Sequence, residues 1–148
     1  MLAFRITGMD ERIELTLDEV WGFPNETTYG GGYGAKGMLS IRAGAYSVSA
    51  AHHFTTGELY RFFTALKQGY DTLSGEAVLE NTERELELKC EFNQLGHVIA
   101  SGMFQAIPST NNVLSFVIKT DQTQVKDTIS NLQAIYGAFG DDKGKRET

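Results

Sequence analysis

Residues 84–92 constrain the fold of this 148-residue chain more than any other segment, because their polarity alternates position by position. The apolar and charged positions are Leu86, Leu88, Cys90 and Phe92 against Glu85, Glu87, Lys89 and Glu91. Successive side chains of a strand point to opposite faces. The pattern therefore predicts a strand with one buried face and one solvent-facing, mostly acidic face, in a sheet covered on one side.

Similar alternation predicts further strands on both sides of this segment. They lie at residues 2–6, 13–17, 38–42, 46–54, 76–80, 97–107 and 113–120. We expect Tyr46, Val48 and Ala50 to face the interior. The segment 97–107 is apolar at both parities, so we place it centrally with both faces covered. Alternation is lost between residues 21 and 37, where turn-forming residues predict an irregular loop.

Two segments have helical periodicity, and their positions give the order of helices and strands along the chain. Thr55 and Glu58 form a capping-box pattern before an apolar stripe that continues to Tyr70. A closing helix begins near Asp121 and ends at Gly140. The resulting order predicts an α+β fold, with a largely antiparallel twisted sheet of about seven or eight strands and two helices packed on one face. We expect residues 1–140 to form a single globular domain and the charged residues 141–148 to form a frayed tail.

The charge of the chain bears on its partners. The formal net charge is −6, and no basic cluster precedes the last few residues, so we do not expect direct binding to nucleic acid. A basic protein partner would be attracted to such a surface, although the same acidity also serves solubility. No segment resembles a signal peptide or reaches the length of a membrane span, so we expect a cytoplasmic protein that does not enter membranes.

The glycine-rich loop at residues 30–37 contains a G-x-G-x-x-G match from Gly32 to Gly37. A dinucleotide site needs a helix directly after this motif, whereas here a strand follows, so we do not expect a cofactor. Tyr29 and Tyr33 in this region would suit a partner contact, because tyrosine provides contact area at a small loss of conformational entropy.

No residue pattern predicts catalysis or metal binding. His52 and His53 are adjacent on a strand and point to opposite faces, so together they cannot chelate one ion. We expect His52 to pack near Phe54, and His53 to be solvated. Cys90 shares the parity of the core residues and is expected to be an inert buried thiol. The sequence therefore predicts a protein with no catalytic, cofactor-binding or metal-binding residues, which is not an enzyme.

Several short motifs of the second half add a family resemblance. They are Gly75-Glu76-Ala77, Glu83-Arg84-Glu85-Leu86-Glu87-Leu88, Leu95-Gly96-His97-Val98, Leu114-Ser115-Phe116 and Thr120-Asp121-Gln122-Thr123. In these motifs and in the order of its elements, the region 75–135 resembles small bacterial immunity proteins of the WapI-like kind. The N-terminal third is less similar to them. The resemblance implies a protein that binds and neutralises a toxin and has no catalytic activity of its own.

The sequence leaves three functional hypotheses. The first is a toxin-binding immunity protein that contacts a basic toxin domain through Glu85, Glu87 and Glu91, and through Tyr29 and Tyr33. The second is a small-ligand or metal-binding domain, or an enzyme, with a site near residues 30–37. The third is a structural homo-oligomer, formed through an uncovered sheet face that carries Met38, Ile99 and Met103.

Overall fold

The structure, a computed structural model, describes residues 1–81 and 84–146. Glu83, which belongs to one of the family-like motifs, and the tail residues Glu147 and Thr148 lie outside the described residues. The described strands are β1 (Ala3–Thr7), β2 (Glu11–Thr16), β3 (Glu19–Trp21), β4 (Gly34–Ala43), β5 (Tyr46–Thr55), β6 (Glu76–Glu80), β7 (Leu86–Phe92), β8 (His97–Phe104) and β9 (Leu114–Asp121). The helices are α1 (Thr56–Thr72) and α2 (Gln122–Phe139), with a short 3-10 helix at Pro108–Thr110.

Strand β4 organises the first sheet, which contains β1 to β5. On one edge β4 pairs with β2 and, nearer its start, with β3, while its other edge pairs along its full length with β5. Strand β1 completes the sheet beside β2. All of these pairings are antiparallel, and short turns such as the one at Gly44, which has φ of +62°, connect neighbouring strands.

The second sheet is a four-stranded meander in the order β6-β7-β8-β9. Every pairing is antiparallel, and each strand pairs with the next one along the chain. Its buried side consists of alternate residues such as Leu88, Cys90, Ala100 and Ile118. This sheet contains the segment 84–92, whose alternating pattern correctly predicts one buried and one solvent-facing side.

A single hydrophobic cluster joins the inner faces of both sheets with the two helices. Helix α1 packs against β6 and α2, and α2 also packs against β1. The capping box predicted at Thr55 is present, because the Thr55 hydroxyl accepts from the Glu58 N–H and the Glu58 side chain accepts from the Thr55 N–H. Asp121 likewise accepts from the Gln124 N–H at the start of α2.

The α+β class and the antiparallel pairing are confirmed, but the strands form two sheets rather than one sheet of seven or eight strands. Helix α1 separates β5 from β6, and these two strands do not pair with each other. Alternation along a strand shows which side is buried. It does not show which strand lies alongside, so the division into two sheets could not be read from the pattern.

Three local predictions also differ from the structure. The region from residue 21 onward was expected to be irregular up to residue 37, yet β4 begins at Gly34. Strand β8 is central in its sheet, but only one of its faces is covered, because Ile99 and Met103 are 43% and 39% exposed. Tyr46 has the parity of the interior but is 70% exposed, since β5 extends beyond the core at its start.

The charged segment that follows α2 makes specific contacts over residues 141–146. The Asp141 side chain accepts from the backbone N–H groups of Lys143 and Lys145. These two bonds lower the pKa of Asp141, with the Lys145 N–H contributing most. The Asp142 carbonyl accepts from the Gly32 N–H, so this segment lies against the glycine-rich loop. Neither helix in the described part of the chain is long and apolar enough to span a membrane.

Candidate functional site

The solvent-facing side of the second sheet, which we call the outer face, is the candidate binding surface. Its outward-pointing residues are Glu76, Val78 and Glu80 of β6; Glu87, Lys89 and Glu91 of β7; His97, Ile99, Ser101 and Met103 of β8; and Ser115, Val117, Lys119 and Asp121 of β9. Strand pairing aligns them in rows, so that Glu80, Glu87 and Met103 are successive neighbours across three strands.

Apolar side chains are exposed on every strand of the outer face except β7. Val78, Ile99, Met103 and Val117 are each between 39% and 50% exposed. Isolated exposed apolar residues are common on any protein, but four on one sheet face form a surface that a partner can cover. Met38, which the homo-oligomer hypothesis groups with Ile99 and Met103, belongs instead to β4 of the first sheet.

Carboxylates on β6 and β7 form two cross-strand pairs on this face. Glu76 lies opposite Glu91, and Glu80 lies opposite Glu87. Lys89 relieves the first pair, because its Nζ is 2.7 Å from Glu91 Oε1 and 3.9 Å from Glu76 Oε2. The hydrogen bond and charge of Glu91, followed by the charge of Glu76, raise the pKa of Lys89. Like charges directly opposite each other destabilise a sheet, and no cation in the described part of the chain forms an ion pair with the second pair.

A cleft of about 830 Å³ adjoins the Glu80–Glu87 pair. We call it the β6–β7 cleft. It is lined by Arg61, Val78, Leu79, Glu80, Asn81, Arg84, Leu86, Glu87, Leu88, Lys89, Ser101 and Gly102. Arg61 comes from α1, and its Nη2 donates to the Gly30 carbonyl over 2.8 Å. One side chain therefore connects the cleft beside the outer face to the glycine-rich loop.

Glu85 does not join Glu87 and Glu91 in the sheet rows, although all three share one parity. It precedes β7, and its Oε2 lies 3.5 Å from Nδ1 of His52, a side chain that is 1% exposed. At this length the contact is too long for a full hydrogen bond. Burial therefore dominates and lowers the pKa of His52, although the charge of Glu85 partly offsets the effect.

The buried side chain of Asn81, which no sequence pattern singled out, connects three separate segments near His52 and Glu85. Asn81 is 7% exposed, and its Nδ2 donates to the His53 carbonyl over 3.2 Å and to Glu58 Oε1 over 3.4 Å. Its Oδ1 accepts from the Glu85 N–H. A single asparagine in a loop has no distinguishing sequence pattern, so only the spatial approach of β5, α1 and β7 identifies its role.

The two tyrosines of the glycine-rich region have opposite environments. Tyr29 is fully exposed. Tyr33 is only 2% exposed, so its ring is not available as contact area in this structure. Its hydroxyl has one hydrogen to donate and lies 3.1 Å from the Gly144 carbonyl oxygen and 3.2 Å from that of Pro24. The loop is held by hydrogen bonds, including Gly57 N–H to the Gly31 carbonyl and Gly32 N–H to the Asp142 carbonyl. It presents Tyr29 from an ordered backbone.

The remaining candidate groups have structural environments. The His52 ring stacks on Phe54, with centroids 6.1 Å apart, and exposed His53 stacks on Trp21. Cys90 is buried, and burial raises the pKa of its thiol to about 12, which disfavours the reactive thiolate. Within residues 1–81 and 84–146, no group of three or more His, Cys, Asp and Glu side chains is positioned to hold a metal ion.

An α+β domain with a mixed apolar and acidic sheet face has the kind of surface that protein-binding domains present. The model of the immunity protein WapI-like family matches residues 5–140, and this chain belongs to that family. The match includes the N-terminal strands and the glycine-rich loop, where the resemblance in sequence is weaker.

The chain was also compared with solved structures and with curated proteins. A chain of the solved CdiA-CT/CdiI toxin and immunity complex from Enterobacter cloacae is similar to this chain, with 13% sequence identity and a TM-score of 0.41. The similarity covers 79% of this chain and 94% of that chain. No curated protein matches the sequence.

Proposed function

We propose that this protein neutralises a toxin by binding it stoichiometrically in the cytoplasm, without catalysing a reaction. The observation that carries the proposal is the match of the WapI-like immunity family to residues 5–140. The outer face supports it, because exposed Val78, Ile99, Met103 and Val117 would be covered in a complex. In this mechanism the bound protein occludes the surface through which the toxin acts.

The outer face is too small to form the whole of a stable interface by itself. Four strands spaced about 4.8 Å apart, with three or four outward residues each, span an area on the order of 400 Å². A stable interface takes about 800 Å² from each partner. Glu80 and Glu87 of this face also line the β6–β7 cleft, and Arg61 of the cleft bonds to Gly30, the residue after Tyr29. In this proposal the cleft and that loop provide the additional area.

The charge of the chain supports a basic toxin as the partner. The net charge of −6 raises the association rate of a positively charged protein, and salt weakens this effect. Glu87 and Glu91 lie on the outer face and act in this steering, whereas Glu85 lies beside His52 and contributes less. Rim charges act mainly on the association rate, while buried contacts determine the lifetime of the complex.

Co-expression with the toxin domain encoded in the neighbouring reading frame tests the proposal. We expect the wild-type chain to restore growth, and isothermal titration calorimetry with a catalytically inactive toxin variant to give one-to-one binding. An unrelated toxin serves as the control and should be neither bound nor neutralised. The proposal is wrong if the neighbouring toxin is expressed and harmful, yet this chain neither binds it nor restores growth.

A further inference from the structure

The two carboxylate pairs of the outer face have different surroundings, although they lie on the same two strands. Lys89 contacts both members of the Glu76–Glu91 pair. In the described part of the chain, no lysine, arginine or histidine forms an ion pair with Glu80 or Glu87. Three cationic residues among those described line the cleft beside this second pair. Arg61 donates to the Gly30 carbonyl, Lys89 pairs with Glu76 and Glu91, and Arg84 forms no ion pair with Glu80 or Glu87 within the described residues. The Glu80–Glu87 pair is therefore the uncompensated one.

We infer that the Glu80–Glu87 end of the outer face is the docking point for a basic, partly apolar patch of the toxin. This inference rests on the proposed function and specifies its contact surface. Met103 lies directly across from Glu87, and Val78 is the next outward residue on β6. An arginine of the partner would place its guanidinium between the two carboxylates and its aliphatic stem against Met103.

The cleft beside the pair makes this end of the face the better receptor. Its volume of about 830 Å³ admits a protruding side chain, whereas the Glu76–Glu91 end already contains the Lys89 ammonium. Like-charged pairs opposite each other reduce the stability of the free protein. A cationic side chain of the partner offsets the repulsion between Glu80 and Glu87, and it does so only in the complex. The pair therefore lowers the stability of the free protein and strengthens binding of the toxin.

Charge also argues against a second copy of this chain as the occupant. A two-fold symmetric dimer brings the same patch of both subunits together. Contact through this end of the outer face would place the Glu80–Glu87 pairs of both copies near each other, and such like-charge contacts oppose association. A partner of opposite charge gains from the same arrangement.

Two double variants separate this local contact from long-range steering. Glu80→Gln with Glu87→Gln removes the uncompensated pair, and Glu76→Gln with Glu91→Gln removes the pair that contacts Lys89. Both variants remove two negative charges, so their effects on steering are matched. We expect the first to weaken binding of the inactive toxin domain about tenfold or more, and the second to have a much smaller effect, as measured by calorimetry and association kinetics.

Thermal unfolding of the free variants shows whether Glu80 and Glu87 act in binding or only in stabilising the fold. We expect the melting midpoint of the Glu80→Gln, Glu87→Gln variant to equal or exceed that of the wild type, because a like-charge contact is removed. The opposite combination, weaker binding together with a lower midpoint, would show that the two carboxylates stabilise the free fold and would overturn the inference. Equal dissociation constants for the two double variants would also overturn it.

The remaining outcomes identify other failures. If the wild-type chain binds no toxin, the proposed function fails and the docking point fails with it. If the wild type binds but the Glu80→Gln, Glu87→Gln variant binds equally well, only the docking point is wrong. If light scattering shows a wild-type dimer that the same variant converts to monomer, a second copy is the occupant and the inference is overturned.

Discussion

At the scale of single residues, burial decides the chemistry of the titratable groups. His52 is enclosed by Phe54 and Phe104, with ring centroids 6.1 Å and 5.8 Å from its own. The charged groups that act on it are Glu85, which favours its protonation, and His53, which opposes it. Burial is the largest effect, so the folded protein favours the neutral imidazole. The sequence predicts the contact with Phe54 but not the approach of Glu85.

This environment makes the stability depend on pH. Because the pKa of His52 in the folded state is below its ordinary value of 6.5, the unfolded chain binds more protons as the pH falls past 6.5. The free energy of unfolding should therefore decrease between about pH 7.5 and pH 5.5. Urea unfolding across this range should show a shallower dependence for His52→Gln, while exposed His97→Gln serves as the control. An unchanged slope in His52→Gln would contradict the assignment.

At the scale of elements, Asn81 joins segments that no sequence pattern connects. Its side chain bonds to the His53 carbonyl of β5, the Glu58 carboxylate of α1 and the Glu85 N–H before β7. It therefore links the two sheets at the point where α1 separates them. Groups that lose a buried hydrogen-bond partner destabilise a fold more than the bond itself stabilises it.

Replacing the Asn81 side chain should destabilise the contact between the two sheets. We expect Asn81→Ala to reduce the free energy of unfolding by about 2 kcal/mol, because polar groups near the interior lose their partner. Chemical denaturation monitored by circular dichroism measures the change, and Asn112→Ala at an exposed position is the control. A loss of less than about 0.5 kcal/mol, the usual range for surface substitutions, would show that Asn81 does not link the sheets.

The elements themselves were largely predictable. Strand β7, strand β9 and both helix starts follow from alternation, helical spacing and caps, because these signals are local. The candidate site was predictable only in part. The outward parity of Glu87 and Glu91 is a local property. The opposition of Glu80 to Glu87 depends on the register of a hairpin, which is fixed by pairing and turn geometry.

At the scale of the whole molecule, the proposed interface extends beyond one sheet. Tyr29 is fully exposed on a loop whose next residue, Gly30, accepts a hydrogen bond from Arg61 of the β6–β7 cleft. Aromatic side chains at ordered positions often contribute strongly to binding, because little conformational freedom is lost on association. The tail segment 141–146 adds to the order of this loop through Asp142.

If the proposed function holds, Tyr29 is a candidate second contact for the toxin. We expect Tyr29→Ala to weaken binding of the toxin domain by at least about 1 kcal/mol without changing the melting midpoint, because the side chain has no buried area to lose. Tyr46→Ala, at another exposed position in the first sheet, is the matched control. Equal binding by the two variants would place the loop outside the interface.

The sequence by itself determined the α+β class, the positions of most strands and helices, the acidic side of β7 and the burial of Cys90, because periodicity and capping act over a few residues. Only the tertiary structure decided that the strands form two sheets, that Tyr33 is buried while Tyr29 is exposed, and that Glu85 lies beside His52. It also paired Glu80 with Glu87 next to a cleft. These features depend on which distant segments meet, and that is set by how the whole core packs rather than by any local pattern.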